Sequence, residues 1–128
     1  SQVIHKRSNT IILDAYNANP NSMEAAIANL KGIAARHKVA ILGDMFEVGE
    51  ESALEHQKIA ELIASTPVDS IFLIGQNFAE VVLENERVAF FPKYEDFAAQ
   101  FATREFENTT FLNKASRGMA LERVLELL

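Results

Sequence analysis

The sequence predicts a single α/β domain with a doubly wound, mostly parallel sheet and an antiparallel hairpin at its N-terminal edge. Its 128 residues are about the length of one domain. Short apolar runs alternate with segments of helical periodicity, which is the order expected when helices cross between parallel strands. The central runs, such as Ile11–Leu13 and Ile71–Ile74, carry no polar residue, as is typical of strands covered on both faces.

The composition is that of an ordinary globular protein. Hydrophobic residues make up 48% and charged residues 23%, which argues against a disordered chain. A net charge of −6 argues against a nucleic-acid or anionic-membrane binder, and the absence of cysteine excludes disulfides and thiolate zinc sites. No apolar run approaches the roughly 20 residues of a membrane span, and no signal peptide opens the chain. We therefore expect a cytosolic domain, and the missing initiator Met suggests a fragment or a processed chain.

The first elements are predicted to be a hairpin and a helix. Val3 to Arg7 and Thr10 to Tyr16 flank Ser8-Asn9, a pair that favours a turn. Ser22 is expected to cap a helix that ends near residue 33, because apolar side chains follow it at helical spacing.

The remaining elements alternate in the same way, although periodicity does not give the order of the strands in the sheet. The aromatic residues between positions 90 and 101 are predicted to be core. The predicted strands are Lys38–Gly43, Ser70–Gly75, Arg87–Phe91 and Thr109–Asn113, and the predicted helices are Glu51–Ser65, Phe78–Leu83, Tyr94–Phe101 and Ser116–Leu128.

Polar residues follow most of the predicted strands at the point where each strand ends. Ligands of open α/β sheets bind beyond these carboxyl ends, so the strand-end segments are the candidate site. The segments are Asp14 to Pro20, Gly43 to Glu47, Gly75 to Asn77, Pro92-Lys93, and Asn113 to Arg117.

The common catalytic motifs are absent from this chain. It has no G-x-x-x-x-G-K-[ST], no G-x-G-x-x-G and no G-x-S-x-G. The histidines His5, His37 and His56 lie far apart in sequence, which disfavours a histidine-based metal site. The chain is therefore not expected to bind a triphosphate in the P-loop manner.

A receiver domain that accepts a phosphoryl group is a weaker alternative. Asp14, Asp44 and Lys114 resemble the acidic pocket and lysine of such a domain. Its phosphorylated aspartate should follow the third parallel strand, but Ile71–Ile74 is followed by Gly75-Gln76-Asn77, without a carboxylate.

Three segments, in order, resemble motifs of the Mur ligase family. Leu13 to Met23 contains the specific pattern Y-N-A-N-P-x-S-M. Leu42 to Gly49, followed by His56, is similar to the pattern L-G-D-M-x-E-L-G…H, and Leu112 to Arg117, followed by Glu122, is similar to V-K-G-S-R…E. The resemblance covers essentially the whole chain. Ala115 stands where the family usually has glycine, so a left-handed backbone there would be costly.

The resemblance implies that residues 1–128 are a Rossmann-like C-terminal domain that binds the incoming amino acid or dipeptide and closes over the nucleotide. The N-terminal UDP-sugar domain and the central domain, which would hold ATP and Mg²⁺, lie outside this chain. The form of the first motif favours the ligases that join D-alanyl-D-alanine to UDP-N-acetylmuramoyl-tripeptide, via an acyl phosphate, in peptidoglycan synthesis. The resemblance also implies that the protein is located in the bacterial cytoplasm, that it does not bind nucleic acid and that it does not insert into a membrane. It implies no catalytic or metal-binding residue in this domain.

The resemblance further implies two sets of ligand-binding residues. The residues alone leave other roles open. The strand-end aspartates are also typical of turns or helix caps, and a buried position on its helix is also consistent with a core role for His56. For Lys114 and Arg117 the alternative is a solvated surface charge. The implied nucleotide-binding residues are Asp14, Tyr16, Asn17 and Asn19, and the implied dipeptide-binding residues are Asn19, Asp44, His56, Lys114, Ser116 and Arg117.

Two other functions remain open on the sequence. One is a stand-alone Rossmann-like module that binds a small ligand without catalysis. The other is a sister ligase that uses a different amino acid.

Overall fold

Six strands of the chain form one sheet, in a computed structural model that describes residues 1–46 and 48–128. Glu47, which belongs to the second family motif, lies outside the described residues. The strands are β1 (Gln2–Lys6), β2 (Asn9–Asp14), β3 (His37–Gly43), β4 (Ser70–Ile74), β5 (Val88–Phe91) and β6 (Thr109–Lys114). The α-helices are α1 (Pro20–Gly32), α2 (Ser52–Ala64), α3 (Gln76–Ala79) and α4 (Tyr94–Phe101), and 3-10 helices cover Gly49–Glu51, Arg117–Met119 and Leu121–Leu127.

The strand order is β1-β2-β6-β3-β4-β5. β1 pairs antiparallel with β2, and the four remaining pairings are all parallel. This arrangement confirms the predicted fold class. The last strand, β6, lies between β2 and β3. The loops after these three strands therefore leave the same edge of the sheet side by side.

Helices cover both faces of the sheet, as a doubly wound fold requires. On one face, α1, α2 and α3 bury apolar side chains such as Met23, Ile59 and Phe78. On the other face, α4 and the 3-10 helix Leu121–Leu127 bury Phe97 and Leu121. Because the segments after β2 and β6 cross to opposite faces, a crevice opens between these neighbouring strand ends. No helix in the described ranges is long and apolar enough to cross a membrane.

The start of α1 differs from the sequence prediction. Asn19, not Ser22, is the N-cap, and its side chain accepts from the backbone N–H of Ser22 at 2.9 Å. Ser22 Oγ in turn accepts from the backbone N–H of Asn19 at 3.0 Å, which completes a capping box. Pro20 occupies the first turn, where its missing N–H costs nothing.

Two other helices were predicted incorrectly. The predicted helix Phe78–Leu83 is a single turn, α3, which begins at Gln76. The predicted helix Ser116–Leu128 is two 3-10 helices, because Ala120 between them has left-handed backbone with φ +52°. Ser116 makes no capping hydrogen bond with its side chain. The segment after β6 thus turns tightly over the strand ends instead of leaving as one α-helix.

Candidate functional site

The loops after β2, β6 and β3 are joined by backbone hydrogen bonds beyond the last paired residues. The N–H of Ala115 donates to the carbonyl of Asp14 at 3.3 Å, and the N–H of Ser116 donates to the carbonyl of Asp44 at 3.1 Å. The N–H of Asp44 donates to the carbonyl of Ile74 at 3.1 Å. The sheet therefore brings the residues of all three family motifs to one edge.

Asp14 and Lys114 form an ion pair at the ends of β2 and β6, where the two residues are register partners. Lys114 is 1% exposed, and its Nζ lies 2.6 Å from Asp14 Oδ2 and 2.9 Å from the carbonyl oxygen of Asn17. A buried ammonium is tolerated when it is paired and hydrogen-bonded in this way. The Asp14 side chain is 25% exposed to solvent.

Asp44, at the end of β3, is buried, and both of its carboxylate oxygens accept hydrogen bonds from the chain. Oδ2 accepts from the backbone and side-chain amides of Asn77, at 3.0 and 3.1 Å, and Oδ1 accepts from the N–H of Phe78 at 3.1 Å. The carboxylate thus binds the free N–H groups at the start of α3. Gly75 allows this approach, because it has a φ of +127° and a Cβ there would overlap the carboxylate.

His56 is fully buried in α2 and is bonded to the loop after β3. Its Nε2 accepts from the backbone N–H of Met45 at 3.0 Å, while its Nδ1 lies 2.7 Å from the carbonyl oxygen of Ser52. This pattern corresponds to the neutral ring with the proton on Nδ1. The ring packs edge-on against Phe78 at 4.8 Å. His56 therefore supports the shape of the loop from beneath.

Ser116 connects the three loops through its hydroxyl group. Its Oγ accepts from the N–H of Phe46 at 2.7 Å and lies 3.4 Å from the carbonyl oxygen of Ala18, to which it donates. The residue is 7% exposed. The loops after β2, β3 and β6 are consequently held as one unit.

Ala115 fits its position without backbone strain. It is buried, and it is not among the residues of positive φ. Its methyl group lies against Gly43 of β3, where a Cβ would come within 2.7 Å of that methyl. The missing family glycine therefore has no conformational cost here.

A cleft of about 490 Å³ opens beside the ion pair. Tyr16, which is 70% exposed, and the exposed Arg117 stand at its rim, with the guanidinium carbon 4.7 Å from the ring centroid. Asp14 and Glu122 contribute carboxylates to its wall. The cleft therefore combines a flat aromatic face, a cation and hydrogen-bond acceptors.

A second, smaller cleft of about 310 Å³ lies on the far side of the segment Arg117–Met119. It is lined by Phe46, Asn77, Tyr94 and Arg123 among others, and the Arg123 guanidinium lies 3.8 Å from the Tyr94 ring centroid. Burial raises the pKa of Tyr94 above its ordinary value, and the charge of Arg123 opposes this shift. Sequence reasoning missed this pair, because the spacing of Tyr94 and Arg123 carries no recognisable signal.

The predicted site residues thus fall into two groups. Asp14, Tyr16 and Arg117 line the large cleft, and Asn17, the residue after Tyr16, accepts a hydrogen bond from Lys114 through its carbonyl oxygen. Each remaining predicted residue has at least one polar side-chain atom bonded within the chain; these residues are Asn19, Asp44, His56, Lys114 and Ser116. Over the described ranges, no three acidic or histidine side chains come together as a metal site.

Residues 1–120 match the model of the Mur ligase C-terminal family, described as "Mur ligase, glutamate ligase domain". The chain is 32% identical over 126 residues to the UDP-N-acetylmuramoyl-tripeptide–D-alanyl-D-alanine ligase of Bacillus subtilis, and 36% identical over 126 residues to that of Treponema pallidum. These alignments cover 91% and 93% of the chain but 27% of each relative. The chain therefore spans about a quarter of the length of these proteins.

Solved structures give the same answer for the fold. The chain superimposes on a MurF ligase of Thermotoga maritima in complex with ADP with a TM-score of 0.81 at 28% identity, covering 98% of this chain and 29% of that one. A MurF of Acinetobacter baumannii gives a TM-score of 0.85 at 29% identity, with 98% and 28% covered. Both the sequence and the fold of the chain match these ligases over nearly its whole length. The chain therefore belongs to the C-terminal domain family of the Mur ligases.

Proposed function

We propose that the chain is the C-terminal domain of an ATP-dependent ligase that joins D-alanyl-D-alanine to UDP-N-acetylmuramoyl-tripeptide. In this proposal the domain positions the dipeptide and closes on the nucleotide, in the bacterial cytoplasm. The observation that carries it is the cleft beside the Asp14–Lys114 pair, with Tyr16 and Arg117 at its rim. The names of the relatives support the choice of substrates.

The nucleotide is proposed to contact the loop after β2. Asp14 Oδ2 is bonded to Lys114, so Oδ1 is the carboxylate oxygen that remains to accept from the hydroxyl groups of a ribose. Tyr16 offers an exposed ring for stacking, and Asn17 an exposed amide. The Asn19 side chain caps α1, so we assign Asn19 to the shape of this loop. The ADP of the Thermotoga maritima structure supports a nucleotide for this class of protein.

The dipeptide carboxylate is proposed to bind Arg117. A guanidinium matches a carboxylate with two parallel hydrogen bonds, and Arg117 has an exposed side chain at the rim of the cleft. Asp44, His56 and Ser116 would then support the dipeptide site indirectly, because their polar atoms hold the neighbouring loops.

The proposed chemistry begins with transfer of the γ-phosphoryl group of ATP to the tripeptide carboxylate, giving an acyl phosphate and ADP. The dipeptide amine then attacks the acyl carbon, phosphate leaves, and the amine loses a proton as the amide forms. This domain contributes orientation, which lowers the barrier by bringing the reactants together. As the family resemblance implies, Mg²⁺ is assigned in this proposal to the central domain, outside this chain.

A ¹⁵N-HSQC titration with D-alanyl-D-alanine tests the dipeptide assignment, and L-alanyl-L-alanine is the control. We expect shifts confined to the loops at residues 16–19, 44–46 and 114–117, selective for the D,D form. The titration is run on this domain and on the full-length ligase loaded with ADP. Equal responses to both dipeptides, or no response in the ADP-loaded protein, contradict the proposal.

A further inference from the structure

We propose that Lys114 is a positioning residue for the nucleotide site: it orients the Asp14 carboxylate and fixes the backbone at Asn17. This inference rests on the proposed function, and it replaces the expectation that Lys114 binds the dipeptide. Lys114 lies at the end of β6, between β2 and β3, and its ammonium is directed to the loop after β2.

The burial of Lys114 argues against direct contact with a dipeptide. The side chain is 1% exposed, and two of the three protons on its ammonium are directed to Asp14 Oδ2 at 2.6 Å and the Asn17 carbonyl at 2.9 Å. A dipeptide carboxylate that reached this ammonium would have to enter a site closed to solvent and would place a second anion beside Asp14. Arg117, three residues further on, is exposed and offers a cation without such a rearrangement.

The ion pair divides the two oxygens of Asp14 between two tasks. Oδ2 is bonded to Lys114, whereas Oδ1 has no hydrogen bond to the described residues, and the side chain lines the large cleft with 25% exposure. A carboxylate that is held at one oxygen keeps a fixed orientation at the other. Lys114 thus presents Asp14 Oδ1 to the cleft as a preoriented acceptor. This lowers the entropic cost of binding a ligand hydroxyl group.

The same ammonium fixes the path of the loop after β2. Its bond to the Asn17 carbonyl lies next to Ala18, whose carbonyl accepts from Ser116 at 3.4 Å. Tyr16 lies between the two acceptors of Lys114, at the rim of the cleft. Loss of the ammonium should therefore affect Asp14, Tyr16 and Asn17 together, which are the three residues assigned to the nucleotide.

The test compares KM values for ATP and for D-alanyl-D-alanine, with the Kd for ADP, in the full-length ligase. We expect Lys114→Met to raise the KM for ATP and the Kd for ADP about tenfold, as loss of an oriented charge-assisted hydrogen bond does, and to leave the dipeptide KM within twofold. Asp14→Asn should have a similar effect, and the double variant should be no worse than either single one. Lys114→Arg should recover part of the ATP affinity.

Lys38→Met is the matched control. Lys38 Nζ also bonds a backbone carbonyl, that of Lys31 at 3.1 Å, but it lies at the amino end of β3, away from the cleft. This variant should leave both KM values unchanged.

Three results would overturn the inference or its basis, and they are distinguishable. A Lys114→Met variant that raises only the dipeptide KM makes Lys114 a dipeptide ligand. A loss of affinity for both substrates, not recovered by Lys114→Arg, reduces it to a purely structural residue. If Asp14→Asn leaves ADP binding unchanged, the nucleotide assignment of the proposed function is itself wrong. If Lys114→Met does not fold, the double variant and Lys114→Arg decide the same question.

Discussion

Asp14 and Asp44 follow two strands of the same sheet at the same edge, yet their carboxylates have different surroundings. Asp44 is buried, and both of its oxygens accept amide hydrogen bonds from the start of α3. Asp14 gives one oxygen to Lys114 and keeps the other beside an open cleft. The strand-end position alone therefore does not decide whether a carboxylate is fully bonded within the chain or keeps an unbonded oxygen.

The difference arises from the segments that pack against each aspartate side chain. A glycine and a helix start approach Asp44, so its charge stabilises local structure. A lysine from the inserted strand β6 approaches Asp14 from one side only. A strand-end carboxylate remains available to a ligand where the neighbouring loop leaves one oxygen unbonded.

The largest expected effect is on the Asp44 side. Gly75→Ala places a methyl group against the Asp44 carboxylate at a φ of +127°, a conformation that alanine rarely adopts. We expect a loss of about 3 kcal/mol in the free energy of unfolding, measured by urea denaturation. Gly32→Ala is the control, because a Cβ there meets no atom within 4 Å, and it should cost nothing. Equal stability of the two variants would mean that Asp44 does not need this close approach.

Substitution of each aspartate by asparagine should have different effects on stability and on the Kd for ADP. Asp44→Asn replaces one acceptor by an amide group and leaves an N–H of α3 without its partner, so we expect a loss of about 2 kcal/mol in stability. Its Kd for ADP in the full-length ligase should not change. Asp14→Asn should cost less stability and should raise that Kd. The reverse pattern would exchange the roles of the two residues.

The two clefts can be compared through their arginines. Arg117 stacks on Tyr16 and Arg123 on Tyr94, so removal of either should cost about 0.5 kcal/mol of stability. Only Arg117→Ala should raise the KM for D-alanyl-D-alanine in the full-length ligase. A larger increase for Arg123→Ala would move the dipeptide to the smaller cleft.

The smallest effect concerns Tyr94, in the smaller cleft. Burial raises the pKa of Tyr94 above its ordinary value of 10.0, so the folded chain keeps this proton where the unfolded chain begins to release it. The resulting contribution to stability is complete below pH 10 and is lost as the pH rises through the folded pKa. Urea midpoints at pH 9 and 11 should therefore fall less in Tyr94→Phe than in the unchanged chain. An equal fall would contradict the assigned cause.

The sequence was informative where local pattern decides the structure. Buried strands and amphipathic helices follow from periodicity, and three spaced motifs indicated the family. The partner of Lys114 could not be predicted, because it depends on the insertion of β6 between β2 and β3, which leaves no local signal. The end of the chain was predicted incorrectly because alanine gives no warning of the left-handed backbone at Ala120. Burial of His56 followed from its helical position, but its bond to Met45 required the fold.

Gly43 and Ala115 share a space that holds one methyl group between β3 and β6. For an evolving lineage this sets an order of events: alanine is accessible at either position while the other is glycine, and the pair of alanines is excluded. A methyl group can therefore change strands only through an intermediate with glycine at both positions. Relatives of this chain are expected to carry glycine at one or both of these positions and never alanine at both, although each residue alone looks like an ordinary small side chain.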